Sequence, residues 1–301
     1  MSIVGDLTQQ IVGDLYSVKT IVTGLENPHT YEPSSGEITK IATCDLFVLM
    51  GVPGLESWVD DVLDSYPTLT TVKACNLSSM MEYDPVIKVK NPHVWMNPLI
   101  AQEMIERIYN KIITVDPENT ETYQSNKETY LLKLNGLYNR VLGNKTFFQG
   151  IKVVIHHPSF KYLFDLLDIE RIAVIEEHEG EEPSVEHISK IVGIMKEQNV
   201  KLIVNQPQLD ENTVIQIARD TGAQIAELSP SLGIEDQNGQ IIEHYIDLID
   251  FNLWALANPH DPPSKGKNDL FVWIGIGLTL IATSTAIFVL IVRLHARIFN
   301  K

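Results

Sequence analysis

Hydrophobic residues in the first third of the chain alternate between short continuous runs and runs with helical spacing. A short apolar run bounded by turn residues indicates a buried strand, and apolar residues three or four positions apart indicate a helix. The pattern predicts strands at residues 18–24, 45–51, 70–75 and 85–90, and helices at 34–43, 55–66 and 98–113. Because alternating strands and helices are typical of a parallel sheet, we predict an N-terminal α/β lobe over residues 1–115.

Residues 116–145 break this alternation with one long helical pattern. Asp116 can cap the helix and Gly143 can end it. The apolar positions form a single helical stripe that consists of Tyr123, Tyr130, Leu134, Leu137 and Val141. At a rise of about 1.5 Å per residue, about 26 residues extend roughly 39 Å. We predict that this helix links two lobes.

The alternation of strands and helices resumes after residue 145. It predicts strands at 152–156, 171–177, 201–206 and 223–229, and helices at 158–168, 184–198, 210–222 and 241–256. A second α/β lobe over residues 146–257 follows. Residues 258–269 are rich in proline and charge, which is typical of a linker. The predicted fold is therefore two parallel-sheet α/β lobes joined by one long helix.

The last part of the chain has the composition of a membrane-spanning segment. Residues 270–292 contain no charge, and about 20 apolar residues span a bilayer as a helix. Three basic residues follow in the tail 293–301, so the positive-inside tendency places this tail in the cytoplasm and the bulk of the chain outside. The first residues lack a signal pattern. We expect a signal sequence upstream of Met1; the alternative is insertion directed by the C-terminal segment.

Composition narrows the class of protein. The 301 residues carry a formal net charge of −16. This charge argues against nucleic acid as a partner, because phosphate binding needs clustered Lys and Arg. The two cysteines, Cys44 and Cys75, exclude a disulfide scaffold and a cysteine-rich metal site.

Three of the nine histidines follow predicted strands and precede predicted helices. His29 and His93 each come directly after Asn-Pro, which restricts the backbone before the histidine. His157 follows the predicted strand 152–156, whereas His156 should face the other way by strand alternation. Gln206 has the same setting as His157. Because strand-to-helix loops lie at the carboxyl edge of a parallel sheet, we expect His29, His93 and His157 to converge on a shared cleft.

Three neutral imidazoles indicate a site for a transition metal. Imidazole is a common ligand for Zn²⁺ and its neighbours in the periodic table. Zn²⁺ takes four ligands in a tetrahedral arrangement, about 2.0–2.1 Å from nitrogen. The sequence therefore predicts a metal site at His29, His93 and His157.

The segments around these residues resemble the metal-binding solute receptors of ABC transporters for zinc and manganese, the TroA-like or cluster 9 family. The resembling segments are "NPHTYEP" with the later "GLESW", "NPHVWMNP", "VVIHHPSFKYLFDLLDI" and "QPQLDENTVIQIARDTGAQIAELSPSLG". The third segment favours His157 over His156 as the ligand. The resemblance implies two α/β lobes joined by one long helix, with a metal ion held between them.

The chain departs from this family where carboxylate ligands are usual. Gln206 stands where a carboxylate often precedes Pro-Gln, and Ser229 stands where Asp often precedes the next turn. Mn²⁺ favours oxygen donors, so three histidines with Gln206 or water favour Zn²⁺ over Mn²⁺. The fourth ligand is Gln206, Ser229 or water.

The expected function is an extracytoplasmic receptor that captures Zn²⁺ and delivers it to a separate permease and ATPase of an ABC importer. No catalysis is expected, and we expect a monomer. One alternative is a surface adhesin that kept this fold, since Gln206 and Ser229 are neutral. The other is an enzyme in which Glu32 or Glu176 activates a zinc-bound water.

Overall fold

The computed structural model describes residues 1–24, 26–178 and 180–264. Met1–Pro262 form one compact unit, whose end falls within the predicted linker 258–269. The predicted membrane segment 270–292 and the tail 293–301 lie outside the described residues. Within the described ranges, no helix is both long enough and apolar enough to cross a bilayer.

The region before the long helix contains mostly short elements. They are α1 (Ser2–Val12), a 3₁₀ turn (Gly13–Leu15), α2 (Ser35–Ala42), β1 (Phe47–Leu49), α3 (Val59–Ser65), β2 (Thr71–Lys73), α4 (Leu77–Met80), β3 (Tyr83–Asp84), β4 (Val89–Lys90), a 3₁₀ turn (Val94–Met96) and α5 (Pro98–Val115). Strands β1 and β2 form a two-stranded parallel sheet. The capping box of Ser34 and Glu37 begins α2, and the Asn97 side chain caps α5 ahead of Pro98.

Of the strand predictions in this region, the one at residues 18–24 is wrong, and the one at residues 85–90 holds only for β4 (Val89–Lys90). Residues 18–24 form no strand, because the Glu26 carboxylate accepts hydrogen bonds from the backbone N–H groups of Thr23 and Gly24 and holds them in a loop. Residues 85–90 form no parallel strand, since β3 and β4 make an antiparallel hairpin around a turn in which Lys88 has a φ of 60°. Pro85 has no N–H to give to a sheet, which favours the turn.

The predicted long helix is present as α6 (Thr120–Gly143), preceded by a 3₁₀ turn (Pro117–Asn119). All five residues of its predicted apolar stripe are buried. The helix packs against α1 and α5 from the region before it and against elements that follow it. Because these contacts place both regions in one compact unit, the division into lobes at residues 115 and 146 stays a prediction.

The region after α6 carries the larger sheet. Its elements are α7 (Lys145–Phe148), β5 (Lys152–Ile155), α8 (Lys161–Leu167), β6 (Glu170–Val174), α9 (Val185–Glu197), β7 (Leu202–Asn205), α10 (Asn212–Thr221), β8 (Gln224–Glu227) and α11 (Tyr245–Ala257). Four parallel strands lie in the order β6-β5-β7-β8. Such a sheet needs helices on its faces, and the predicted α/β class with parallel sheets is confirmed.

The site histidines lie where the topology brings loops together. His157 follows β5, and Gln206 follows the neighbouring strand β7. His93 lies between β4 and the 3₁₀ turn ahead of α5, and His29 lies in the loop before α2. Loops from both regions therefore meet at one edge of the larger sheet.

Candidate metal centre

The structure brings His29, His93 and His157 together. The Nε2 atom of His93 lies 3.4 Å from Nε2 of His29 and 3.3 Å from Nε2 of His157. One ligand atom from each of the three residues lies within 4.8 Å of the others. His93 and His157 are buried, and His29 is partly exposed.

Each of the three rings is held from behind by a hydrogen bond at Nδ1. His29 Nδ1 lies 2.9 Å from the carbonyl oxygen of Gly54, and a carbonyl can only accept. His157 Nδ1 bonds to the Glu176 carboxylate. Since Nδ1 carries the ring hydrogen in both cases, Nε2 presents its lone pair to the shared centre.

The amide of Asn91 fixes the third ring. His93 Nδ1 and the His93 backbone N–H both lie 3.0 Å from Asn91 Oδ1. On the other side, Asn91 Nδ2 donates to Asp84 Oδ2 at 2.9 Å and to the Pro158 carbonyl at 2.8 Å. These acceptors and the His93 N–H leave one orientation for the amide, so His93 Nδ1 must donate to it. Nε2 of His93 therefore also faces the centre with a lone pair.

Behind Asn91 lies a buried ion pair. Arg171, on β6, donates to both carboxylate oxygens of Asp84, at 2.6 and 3.0 Å. The side chain of Asp84 is fully buried and that of Arg171 is 5% exposed. A charge-assisted, two-pronged contact of this kind fixes geometry as well as charge. The His93 loop is thereby tied to the larger sheet.

The repeated Asn-Pro-His sequence has a common structural purpose. Asn27 Oδ1 accepts the backbone N–H of His29, as Asn91 Oδ1 accepts that of His93, both at 3.0 Å. Each asparagine thus forms a local turn that directs the histidine two residues later. The restricted backbone that Asn-Pro predicts is therefore reinforced by the asparagine side chain.

The surroundings of His29 and His93 favour the neutral forms of these two rings. Burial lowers the pKa of His29 to about 4, and the nearby His157 acts in the same direction. Burial also holds the pKa of His93 well below its usual value, with the other two rings adding to the effect. For Glu176, burial raises the pKa, but the hydrogen bonds from His157 and from the Gly180 N–H, together with the charge interactions of His157 and His156, outweigh burial and lower the pKa. Neutral imidazoles beside an ionised carboxylate are the form that binds a metal cation.

The spacing of the nitrogens fits a small tetrahedral ion. Zinc bound about 2.0–2.1 Å from each nitrogen requires adjacent ligand nitrogens about 3.3–3.4 Å apart. The Nε2 atom of His93 lies 3.4 Å from that of His29 and 3.3 Å from that of His157, and both distances match this edge length. A cavity of about 30 Å³ lies between the three rings, Trp95, Gln206 and Gln208, among others. The site therefore has the size and the donor atoms for one metal ion.

The two other candidate ligands already have partners. Gln206 lines the cavity, and its amide nitrogen donates to Ser159 Oγ at 3.1 Å and to the His157 carbonyl at 3.3 Å. The Ser229 hydroxyl is buried and donates to the Ser231 carbonyl at 2.7 Å. The role of Gln206 as a metal ligand stays a prediction.

Among the other histidines, His156 points away from the cluster. It is buried, and its Nδ1 lies 2.9 Å from Asn205 Oδ1. Glu176, predicted only as a possible catalytic group, instead lies with its carboxylate behind the His157 ring. Asn91, the partner of His93, was not among the predicted site residues, although the Asn-Pro-His repeat carried that signal.

Comparison with known proteins finds relatives along most of the chain. A family model described as "Zinc-uptake complex component A periplasmic" matches residues 1–258. The chain is 26% identical over 267 residues to the high-affinity zinc uptake system protein ZnuA of Bacillus subtilis, covering 84% of this chain and 83% of that protein. It is 25% identical over 256 residues to the manganese-binding lipoprotein MntA of Halalkalibacterium halodurans, covering 84% of each.

The fold has a counterpart among solved structures. A crystal structure of ZnuA matches with a TM-score of 0.71 and 23% sequence identity, covering 85% of this chain and 94% of that one. The family match extends over nearly all of the described residues. The chain belongs to the family of zinc-uptake complex component A.

Proposed function

We propose that this protein is the extracytoplasmic receptor of an ABC importer for Zn²⁺, and that it carries the ion at His29, His93 and His157. The observation that carries the proposal is the separation of the Nε2 atoms, 3.4 and 3.3 Å, which equals the edge of a zinc–nitrogen tetrahedron. The names of its relatives include both a zinc-uptake and a manganese-binding protein. The nitrogen-rich donor set favours zinc.

The proposed role needs no chemistry on the ion. A base that activates a zinc-bound water must reach the open side of the metal. Glu176 instead accepts a hydrogen bond from His157 Nδ1, on the far side of the ring from the shared centre. We therefore propose a carrier that hands the ion to the permease and ATPase subunits of the importer and acts as a monomer.

We also propose that the carrier is held at the outer face of the cell membrane. Its relatives include a protein named as a lipoprotein and a family described as periplasmic. In this chain the uncharged residues 270–292 offer a single-pass anchor with the tail 293–301 inside. Protease treatment of intact cells should remove residues 1–262 and leave the tail protected. Protection of the whole chain would exclude this placement.

Metal titration tests the carrier function. The full chain, solubilised in detergent and stripped with a chelator, is titrated with Zn²⁺ and with Mn²⁺ by calorimetry. We expect one zinc ion per chain, tight binding, and much weaker Mn²⁺. A triple variant with alanine at His29, His93 and His157 should lose the tight zinc signal and remain folded. Binding that survives in this variant would refute the site, and tight Mn²⁺ would refute the choice of metal.

A further inference from the structure

Three imidazoles leave the fourth position of a tetrahedral ion open. The side chains that line the cavity and carry polar atoms include Glu26, Asn27, Gln206 and Gln208. The Glu26 carboxylate accepts from the N–H groups of Thr23 and Gly24, and Asn27 Oδ1 accepts from the N–H of His29. Gln206 shares its hydrogen bonds with Ser159 and the His157 carbonyl. Glu26, Asn27 and Gln206 are therefore already hydrogen-bonded within the protein.

Gln208 differs from these neighbours. Its Oε1 atom is one of four buried side-chain polar atoms in the described part of the chain with no hydrogen-bond partner. A buried acceptor without a partner has lost its hydrogen bonds to water and gained none in return, which is unfavourable. An orphan acceptor in the wall of a metal cavity suggests that its partner arrives with the ion.

The orientation of the Gln208 amide is fixed by its other end. Nε2 lies 3.0 Å from the Gly24 carbonyl, which can only accept, and 2.9 Å from Ser229 Oγ. The Ser229 hydroxyl gives its hydrogen to the Ser231 carbonyl, so it accepts from Gln208. Both contacts need N–H donors. The nitrogen must therefore occupy this end, and the unpaired atom is the oxygen.

We propose, resting on the zinc-carrier function above, that Gln208 Oε1 faces the fourth position of the bound ion and supplies its contact there, by a direct bond or through one zinc-bound water. An amide oxygen has the lone pairs for either contact. Neither Gln206 nor Ser229, the residues at the usual carboxylate positions, takes this role. The oxygen becomes satisfied when the ion enters, so binding repays the desolvation of Oε1.

Gln208 also joins the two sides of the cavity. Through Nε2 it holds Gly24, five residues before His29, and Ser229, which follows β8. A merely structural role would rest on these Nε2 bonds, whereas the proposed role rests on Oε1. The two roles can be separated by substitution, because methionine removes both ends of the amide and glutamate removes only the nitrogen.

The test compares Gln208→Met, Gln208→Glu and the control Gln206→Met in the full chain in detergent. Each is titrated with Zn²⁺ alone, and the Co²⁺-loaded forms are compared by visible absorption. We expect Gln208→Met to weaken zinc binding about ten-fold and to change the Co²⁺ spectrum. Gln208→Glu should bind zinc as tightly as the parent or more tightly, since a carboxylate oxygen replaces the amide oxygen. Gln206→Met should cost less than Gln208→Met.

The outcomes separate this inference from the proposed function. If Gln208→Met and Gln208→Glu weaken zinc equally, the Nε2 bonds matter and the inference is wrong, although the carrier function stands. A larger loss in Gln206→Met would return the fourth contact to Gln206. If Gln208→Met does not fold, Gln208→Glu still decides, because weaker zinc binding in a folded Gln208→Glu chain overturns the inference. Absence of tight zinc binding in the parent would instead remove the proposed function.

Discussion

The two sides of the metal centre are built in different ways. On one side, His93 and His157 are 3% and 5% exposed, and the buried side chains of Asn91 and Glu176 hold their rings. On the other side, His29 is partly exposed, and its ring is held by the backbone carbonyl of Gly54. The deep pair is fixed by packed polar side chains, whereas His29 depends on the position of a loop.

This difference suggests a division of labour among chemically identical ligands. The buried Asp84–Arg171 pair is costly to desolvate, and a buried ion pair adds little net stability by itself. Its use here is geometric, since through Asn91 it fixes both the ring of His93 and the loop beside His157. We infer that the deep pair is preorganised for the ion and that His29 completes the site.

Replacing each histidine in turn is the strongest test of the difference between the buried pair and His29. Structural zinc sites bind with about 10–16 kcal/mol over four ligands, so one ligand is worth roughly a hundred- to thousand-fold in affinity. We expect losses of this size for His93→Ala and His157→Ala. The loss for His29→Ala should be about ten-fold smaller, because water can replace a partly exposed ligand. Competition with a coloured chelator measures all three.

The exposed His178 provides the matched control, and His178→Ala should leave zinc affinity unchanged. Equal losses for the three site variants would show that the exposed and buried ligands contribute alike, contrary to the division proposed here.

Acidification probes the buried character of the rings. Three imidazoles with ordinary pKa values would lose about four decades of zinc affinity between pH 7 and 5. The pKa values of His29, about 4, and of His93, well below its usual range, lie under this window, so protons do not compete for these two rings. We expect a loss of less than about two decades, measured by calorimetry in matched buffers. A four-decade loss would mean that the rings are hydrated.

The depressed pKa of His29 also makes the folding stability of the metal-free protein depend on pH. Because the folded-state pKa of His29 is depressed, the unfolded chain binds more protons between about pH 6.5 and 4. Stability from this group is present above that window and is lost as the pH falls through it.

Substitution of Glu176 tests the buried side of the metal centre, where its carboxylate holds the His157 ring. Glu176→Gln keeps an acceptor for His157 Nδ1 but removes the charge, so we expect zinc affinity to fall about ten-fold. Glu177→Gln is the matched control at the next residue, since Glu177 bonds to the N–H of Ser184 rather than to a site histidine. Equal effects of the two substitutions would assign the loss to general charge instead of to the His157 ring.

Substitutions at two glycines test the His29 side of the metal centre, and their expected effects are the smallest. Gly24 has a φ of +114°, and an added Cβ would meet the Leu232 carbonyl oxygen at 1.9 Å. Gly24→Ala must therefore move the segment before His29, and we expect about 1–3 kcal/mol less stability and a few-fold weaker zinc binding. Gly54 has a φ of +79° but open space around it, so Gly54→Ala should cost only about 1–2 kcal/mol. Urea unfolding of the metal-free chain ranks the two, and the reverse order would contradict the account.

Much of the fold could be predicted because the spacing of apolar residues along the chain matches the helices and strands that form. Helix α6 and its buried stripe follow from apolar spacing alone, and the four strands of the larger sheet follow from short apolar runs. The loop at residues 18–24 could not, because its valines look like a strand and its conformation depends on the Glu26 side chain. Helix α1 was not predicted: Ile3, Val4, Leu7 and Ile11 have helical spacing, but no side-chain cap marks where the helix begins.

The metal site could likewise be predicted only in part. The three histidines could be found because each lies beside a recognisable strand end or an Asn-Pro pair. The partners that aim their rings could not all be found. Gly54 contributes only a backbone carbonyl, and Asp84 and Arg171 are 87 residues apart and meet only in the folded chain. The orphan oxygen of Gln208 likewise becomes visible only when its neighbours are known.

The central claim is that one zinc ion binds the Nε2 atoms of His29, His93 and His157. A crystal structure of the zinc-loaded protein, with anomalous scattering recorded at the zinc edge, tests it directly. The account predicts a single strong peak about 2.0–2.1 Å from all three Nε2 atoms, with the fourth position towards Gln208. A zinc peak bound through carboxylates elsewhere, or one that leaves any of the three rings unbound, would contradict it.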